Sequence, residues 1–434
     1  MNNKVLILFF ILFTLLAKAQ EIIVITKEDV ISKVKENNEA IKLSQQDFLA
    51  AKADFNQTNA VFLPNITASH TGISTTNPLM AFGSKLNQEI LTQNDFNPVL
   101  LNDPKRTQNF ATKLEIQQPL INLDGLYQRK AAKSKMEAMS LKTERTKDYL
   151  LLEVEKSYMQ LQLAYKAVDV LEKALETTMI NKEMADNRYE QGFLQRTDVL
   201  NIEVRVTEVK NQLQGAKSNV QNASNYISFL MNDKSYVVYK PTDNLLVASF
   251  NIDERVISEN RADIKAMQLA LKGYEAMNKA DKMTFLPRLN AFGSYEMYDD
   301  KVFRGSANGY LVGAQLSWDI FNGAKRFGKI QKSKAELEKS KLAYNQYVSK
   351  SNLELNKVKR QLVDAKNKLT LTALAVEQSK ESLRIRKNRF KEGLEKTADL
   401  LLAETQFLQK ELAYNQTVFE YNFTQVYLDF LTKE

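Results

Sequence analysis

Residues 187–200 read NRYEQGFLQRTDVL, and 201 positions later residues 388–401 read NRFKEGLEKTADLL. Each stretch closes a helix-compatible run on a glycine and opens another on Thr and Asp. A helical hairpin requires this order: glycine supplies the left-handed residue after the last turn, and a short oxygen-bearing side chain caps the next helix. Gly192 with Asp198, and Gly393 with Asp399, therefore mark the turns of two antiparallel helix pairs.

Upstream of Gly192, 66 residues (126–191) contain neither glycine nor proline, and 64 more (329–392) precede Gly393. An ordinary helix has about 11 or 12 residues. Apolar side chains step by four and three: Val154, Tyr158, Leu161, Tyr165 and Val168 in the first run, Leu355, Val358, Leu362, Ala365 and Leu369 in the second. This is coiled-coil spacing. At 1.5 Å per residue each helix extends on the order of 100 Å. Returning helices are expected over residues 197–230 and 397–431.

Before each long helix the period changes to two. Phe110, Thr112, Leu114 and Ile116 alternate with Ala111, Lys113, Glu115 and Gln117; Tyr310, Val312, Ala314, Leu316 and Trp318 alternate with Leu311, Gly313, Gln315 and Ser317. Strands with one apolar face are the reading. A partner strand precedes each, entering on FLP at residues 62–64 and 285–287, where proline's missing N–H falls outside the ladder.

The chain is thus an internal duplication, extending upstream to Asn37, Ile41 and Lys42 against Asn260, Ile264 and Lys265. The offset is 223 upstream and 201 at the hairpin loops, so the first half carries 22 extra residues, a long connection between its two strands. The expected organisation is an export signal over residues 1–19, a first repeat over 20–232, a linker over 233–257 that adds short strands, and a second repeat over 258–434.

The signal is read from Lys4, the apolar run VLILFFILFTLL and an Ala17-Lys18-Ala19 cleavage pattern before Gln20. Its core falls short of the roughly 20 residues that span a bilayer. With no cysteine, the chain has no disulfide, thiolate metal site or acylated cysteine. The formal charge of +8 is spread along helices beside glutamates, as on solvated faces, and an exported chain gives no reason to expect nucleic acid. His70 is the one histidine, and with no phosphate-binding or dinucleotide glycine loop no enzyme and no cofactor is expected.

Four strands of about ten residues match the length that crosses an outer membrane, yet single-chain barrels begin at eight strands. An open edge is not tolerated in lipid, so copies of the chain must complete the barrel. Two copies would fill the lumen with side chains, whereas three leave a channel. The fold class expected is mainly α with a transmembrane β-barrel part. Lys113, Glu115, Gln117, Gln315 and Ser317 would face water, while Tyr310 and Trp318 suit the aromatic girdles. A soluble periplasmic coiled coil with a small sandwich is the competing reading, since soluble sheets alternate in the same way.

The signal, the duplication, the two FLP entries, the QPLIN and WDIFN junctions at residues 118–122 and 318–322, and the paired loops at 192–198 and 393–399 together resemble the TolC-like outer-membrane efflux protein family. The resemblance covers essentially the whole mature chain. It implies a homotrimer with a twelve-stranded barrel in outer-membrane lipid of a Gram-negative bacterium and an α-helical barrel crossing the periplasm. It also implies a passive duct whose helical tips dock on a periplasmic adaptor (membrane fusion) protein, linked to an inner-membrane transporter of RND or ABC type. A type I protein-secretion component would use the same fold.

On that resemblance Gly192, Phe193, Gly393 and Leu394 are the docking tips, and Asp198 and Asp399 are candidates for a pore constriction or for helix caps. Relatives close the mouth with a tyrosine three residues before the second glycine, an arginine two residues after it, and a second aspartate one turn beyond the first. This chain has Phe390, Glu395 and Leu402 at those positions, so that network is not carried over. Arg188 with Arg389, or Arg196 with Lys396, are alternative partners for the aspartates.

Overall fold

Both glycine-free runs fold as single uninterrupted helices. The computed structural model describes residues 22–235, 237–249 and 255–434, so the export signal assigned to residues 1–19 lies outside the described residues. In chain order the elements are β1 (Ile22–Ile25), α1 (Lys27–Asn37), α2 (Glu39–Gln57), β2 (Asn65–Thr75), α3 (Pro78–Asn87), α4 (Pro98–Asn102), β3 (Thr107–Ile121), α5 (Leu123–Glu190), α6 (Arg196–Met231), β4 (Val238–Pro241), α7 (Ala262–Met283), β5 (Arg288–Asp299), β6 (Ala307–Ser317), α8 (Lys325–Lys391) and α9 (Thr397–Thr432). Packing divides them into two units, each built from both halves of the duplication. The first holds the described residues up to Gln46 with Leu141–Lys265 and Gln346–Glu434, and the second holds Asp47–Ser140 and Ala266–Asn345.

In the first unit the seams foreseen from periodicity are the buried ones. Val154, Tyr158 and Leu161 of α5 pack with Val220, Ile227 and Leu230 of α6. Leu355, Val358, Leu362 and Ala365 of α8 pack with Tyr421, Leu428 and Leu431 of α9. Val170 and Leu171 meet Leu213 and Leu408, which brings the two hairpins together. The linker supplies β4, which pairs in parallel with β1. Thr26 and Asp29 form a capping box that starts α1 directly after β1. A buried polar joint also ties the halves: Arg261 forks onto Asp263 and donates to Ser351 Oγ at 2.9 Å and to the Leu431 carbonyl at 2.9 Å. Arg145 lies 3.3 Å from Asp263 and 3.7 Å from the Phe430 ring centroid.

The second unit carries a four-stranded antiparallel sheet in the order β2-β3-β5-β6. β2 and β5 begin at Asn65 and Arg288, one residue after the FLP prolines. Registry puts Lys113 opposite Glu296 and Leu114 opposite Tyr295, and Tyr295 in turn opposite Tyr310. One face therefore collects Ile66, Leu114, Ile116, Tyr295, Tyr310 and Val312, and the other Thr67, Lys113, Glu115, Ser294 and Glu296. Lys113 bridges Glu115 at 3.0 Å and Glu296 at 3.4 Å, so charges on the polar face are paired.

The strand-to-helix junctions are braced. The Asn122 side chain accepts the Gly125 N–H at 3.1 Å and caps α5, while buried Asp124 accepts a fork from Arg288. One expectation needs adjustment. Trp318 lies one residue past β6, its indole N–H bonded to the Phe285 carbonyl at 2.9 Å, because Asp319 and the residues after it turn the chain toward α8. The long connection in the first half is itself helical, forming α3, α4 and a short 3-10 turn at Gln93–Phe96.

Candidate functional site

The repeated loops close in the same way. Gly192 and Gly393 have φ of 82° and 77°, the left-handed region that glycine enters without a Cβ penalty. At the first tip the Phe193 N–H reaches back to the Arg188 carbonyl at 2.9 Å and the Gly192 N–H to Tyr189 at 2.9 Å. At the second, Leu394 reaches Arg389 at 2.9 Å and Gly393 reaches Phe390 at 3.0 Å. Both are Schellman closures. The residue after each glycine is apolar and uncovered: Phe193 is 77% and Leu394 67% exposed.

The side chains around these matching backbones differ. Asp198, in the first turn of α6, accepts the Gln195 N–H at 3.3 Å and acts as a cap. α9 starts without a side-chain cap, and Asp399 lies 3.8 Å from Arg386 instead. Arg386 and Arg389 each approach Glu395 at 2.8 Å. Glu395 is thus clamped within its own hairpin.

The alternative pairings expected for the aspartates do not form. Arg188 donates to the Lys391 carbonyl and lies over the Phe390 ring, 5.2 Å from its centroid. Arg389 is committed to Glu395 and to the Leu394 carbonyl, and Arg196 lies 4.0 Å from Glu203. Lys396 caps nothing with its side chain. Glu395, nearer to Arg389 than Asp399 is, Glu203 two helical turns on from Arg196, and a carbonyl left free at the end of α8 take these side chains from the aspartates. Phe390 is fully buried, an apolar plug under a guanidinium from the other hairpin.

Below the tips is a buried polar cluster that sequence reading missed. The Asn181 amide of α5 donates to Glu404 of α9, and Arg205 of α6 is buried beside them. Glu404 Oε2, Asn181 Oδ1 and Arg205 Nε have no partner among the described residues. Burial pushes the Glu404 carboxyl up to about 7, against the pull of Arg205, the Asn181 amide and Lys387. The signal for it was present: Glu404 interrupts the stripe of Thr397, Leu400 and Leu408, all buried. On the sheet, Tyr310 is 82% exposed on the apolar side, and Trp318, just past β6, is 60% exposed; Tyr295, opposite Tyr310, adds an aromatic that alternation alone did not single out.

A family model described as outer membrane efflux protein matches residues 30–233 and 256–429, covering both repeats. Solved structures share the fold at low identity. A membrane protein from Pseudomonas aeruginosa superposes with a TM-score of 0.83 at 17% identity, over 94% of this chain and 92% of that one. The Campylobacter jejuni CmeC outer membrane channel gives 0.79 at 18%, over 94% and 85%. The outer membrane protein VceC from Vibrio cholerae gives 0.80 at 15%, over 93% and 95%. No curated protein matches the sequence significantly.

Proposed function

The chain belongs to the outer membrane efflux protein family, as an outer-membrane channel and not an enzyme, and from that premise we propose that three copies close one barrel and form the exit duct of a tripartite export system. The observation that carries this is the four-stranded sheet with opposite faces and two unpaired edges. β2 and β6 each have one neighbour, and every unpaired N–H and C=O of an edge costs several kcal/mol in lipid. Head-to-tail pairing of β2 with β6 of the next copy removes both edges, and rotational closure of three copies yields twelve strands around a water-filled lumen. The apolar face meets lipid, with Tyr310 and Trp318 at its margins. The polar face, carrying Lys113, Glu115 and Glu296, lines the lumen.

Three copies present six tips. Each offers a fixed backbone turn and one exposed apolar side chain, Phe193 or Leu394, flanked by glycines that allow close approach. These are the docking contacts for a periplasmic adaptor protein, through which an inner-membrane transporter of RND or ABC type drives cargo into the duct. Asp399, beside Arg386 and free of capping, is the stronger candidate for an acidic ring at the constriction; Asp198 serves first as a cap. Lysine crosslinking of the protein in detergent tests the assembly. A trimer is the expected product, and a stable monomer by mass measurement would sink the shared barrel.

A further inference from the structure

We propose that residues 78–102 of each copy meet the same segment of neighbouring copies to form an apolar cover over the outer mouth of the channel, an inference that rests on the trimer reading above. Topology places the segment. The strand ends at Asn65, Ile121, Arg288 and Ser317 lead into or out of helices, whereas the opposite ends carry only connections, 31 residues between Thr75 and Thr107 and seven between Asp299 and Ala307. The long connection therefore lies at the end of the sheet opposite the strand-to-helix junctions, the end that the channel reading puts on the cell exterior.

It is folded, and it lies on a defined side. Gln88, the C-cap of α3, donates to the Gln108 carbonyl and to Asn109 Oδ1, both at 2.8 Å. Asn109 has the same parity along β3 as Lys113 and Glu115, so α3 is fastened over the polar face. Ala81 and Ser84 of α3 and its C-cap Gln88, spaced by three and four, are the buried side. Lys85 bridges Asp95 at 2.7 Å, and the Phe82 and Phe96 rings meet edge to face at 5.7 Å, which fixes the rest of the connection to α3. The short connection bends the other way, with Phe303 stacked on His70 at 4.4 Å, above the apolar face.

Leu79, Leu86, Ile90, Phe96, Val99 and Leu100 of this cap are between 47% and 80% exposed. Soluble surfaces rarely gather so many large apolar side chains without a partner. Lipid is not that partner, because the cap is anchored on the face opposite Ile66, Leu114 and Val312. The open edges of β2 and β6 place a copy on each side and turn all polar faces toward one lumen. Caps fastened to those faces converge on the same axis, and each finds its apolar partner in the next. An apolar constriction in a watery pore resists wetting, so the cover would hold back ions and external solutes until cargo parts it.

The chain contains no cysteine, so Leu79→Cys, Phe96→Cys and Val99→Cys each introduce a unique thiol. Treated in isolated outer membranes with a short bismaleimide, at least one variant should yield covalent dimers on a denaturing gel. Replacing residues 78–102 with a short Gly-Ser turn should raise single-channel conductance. No dimer at any of the three positions, in material whose lysine crosslinking still gives trimers, overturns the cover and leaves the channel intact. Unchanged conductance in the shortened variant also overturns it, and absence of trimers overturns both readings.

Discussion

The two hairpin tips share a backbone and divide the chemistry. Position for position, Tyr189 corresponds to Phe390, Leu194 to Glu395, and Glu203 to Glu404. Tyr189 is 41% exposed, whereas Phe390 is fully buried beneath Arg188. Glu203 is half-buried near Lys182 and Arg196, whereas Glu404 is sealed in with Asn181 and Arg205. The first tip spends its aspartate on capping a helix and extends an arginine to the second. The second clamps a glutamate between two arginines and leaves its aspartate beside one of them. Duplication thus supplied two equal turns, and later divergence made one the donor and the other the receiver of the contacts between hairpins.

The largest expected asymmetry lies in the plug. Phe390→Ala empties a fully buried aromatic site and should lower stability by about 3–5 kcal/mol, while Tyr189→Ala should cost less than about 1 kcal/mol. Denaturant unfolding of the purified protein measures both, and equal losses would break the assignment of receiver and donor.

The glutamates come next. The folded state holds the Glu404 proton to about pH 7, against an ordinary value of 4.5. Folding therefore takes up a proton between those values, and the stability associated with this group is greatest below the lower value and declines as pH rises through the upper one. The full loss is on the order of 3 kcal/mol. Glu404→Gln should flatten the dependence of melting temperature on pH between 5 and 8. Glu203→Gln should leave it in place, and a flat profile in the unsubstituted protein would remove the distinction.

The aspartates give the smallest effects on stability and the clearest in conduction. Asp198→Ala should cost roughly 0.5–1 kcal/mol through the lost cap and leave conductance as it was. Asp399→Ala should raise single-channel conductance or weaken block by multivalent cations. Bilayer recordings in which the two variants behave alike would show that the tips contribute equally to the constriction.

Much of this molecule is legible along the chain because its determinants are local. The absence of glycine and proline from two long runs, the spacing of Val154, Tyr158 and Leu161, and the alternation around Lys113 each report a backbone period. A period decides which side of an element is apolar. Gly192 and Gly393 announce left-handed turns because the conformation belongs to one residue at a time. Charge pairing carries no such signature: Arg389 is adjacent in kind to Asp399 but meets Glu395, and Arg188 finds a carbonyl on a helix 203 residues away. Spacing marks Glu404 as an interruption of an apolar stripe, but whether its carboxyl is sealed in or left half-buried like that of Glu203 depends on what the neighbouring helices place over it.

By itself, then, the sequence determined the long helical hairpins, the strands with one apolar face and the duplicated turns, all set by interactions within a few residues. Tertiary structure alone decided which turn receives the other's arginine, which glutamate keeps its proton near neutrality, and that α3 lies over the polar face of the sheet. Those outcomes depend on burial and on partners distant in the chain, and desolvation is a property of the packed neighbourhood, which no residue spacing records.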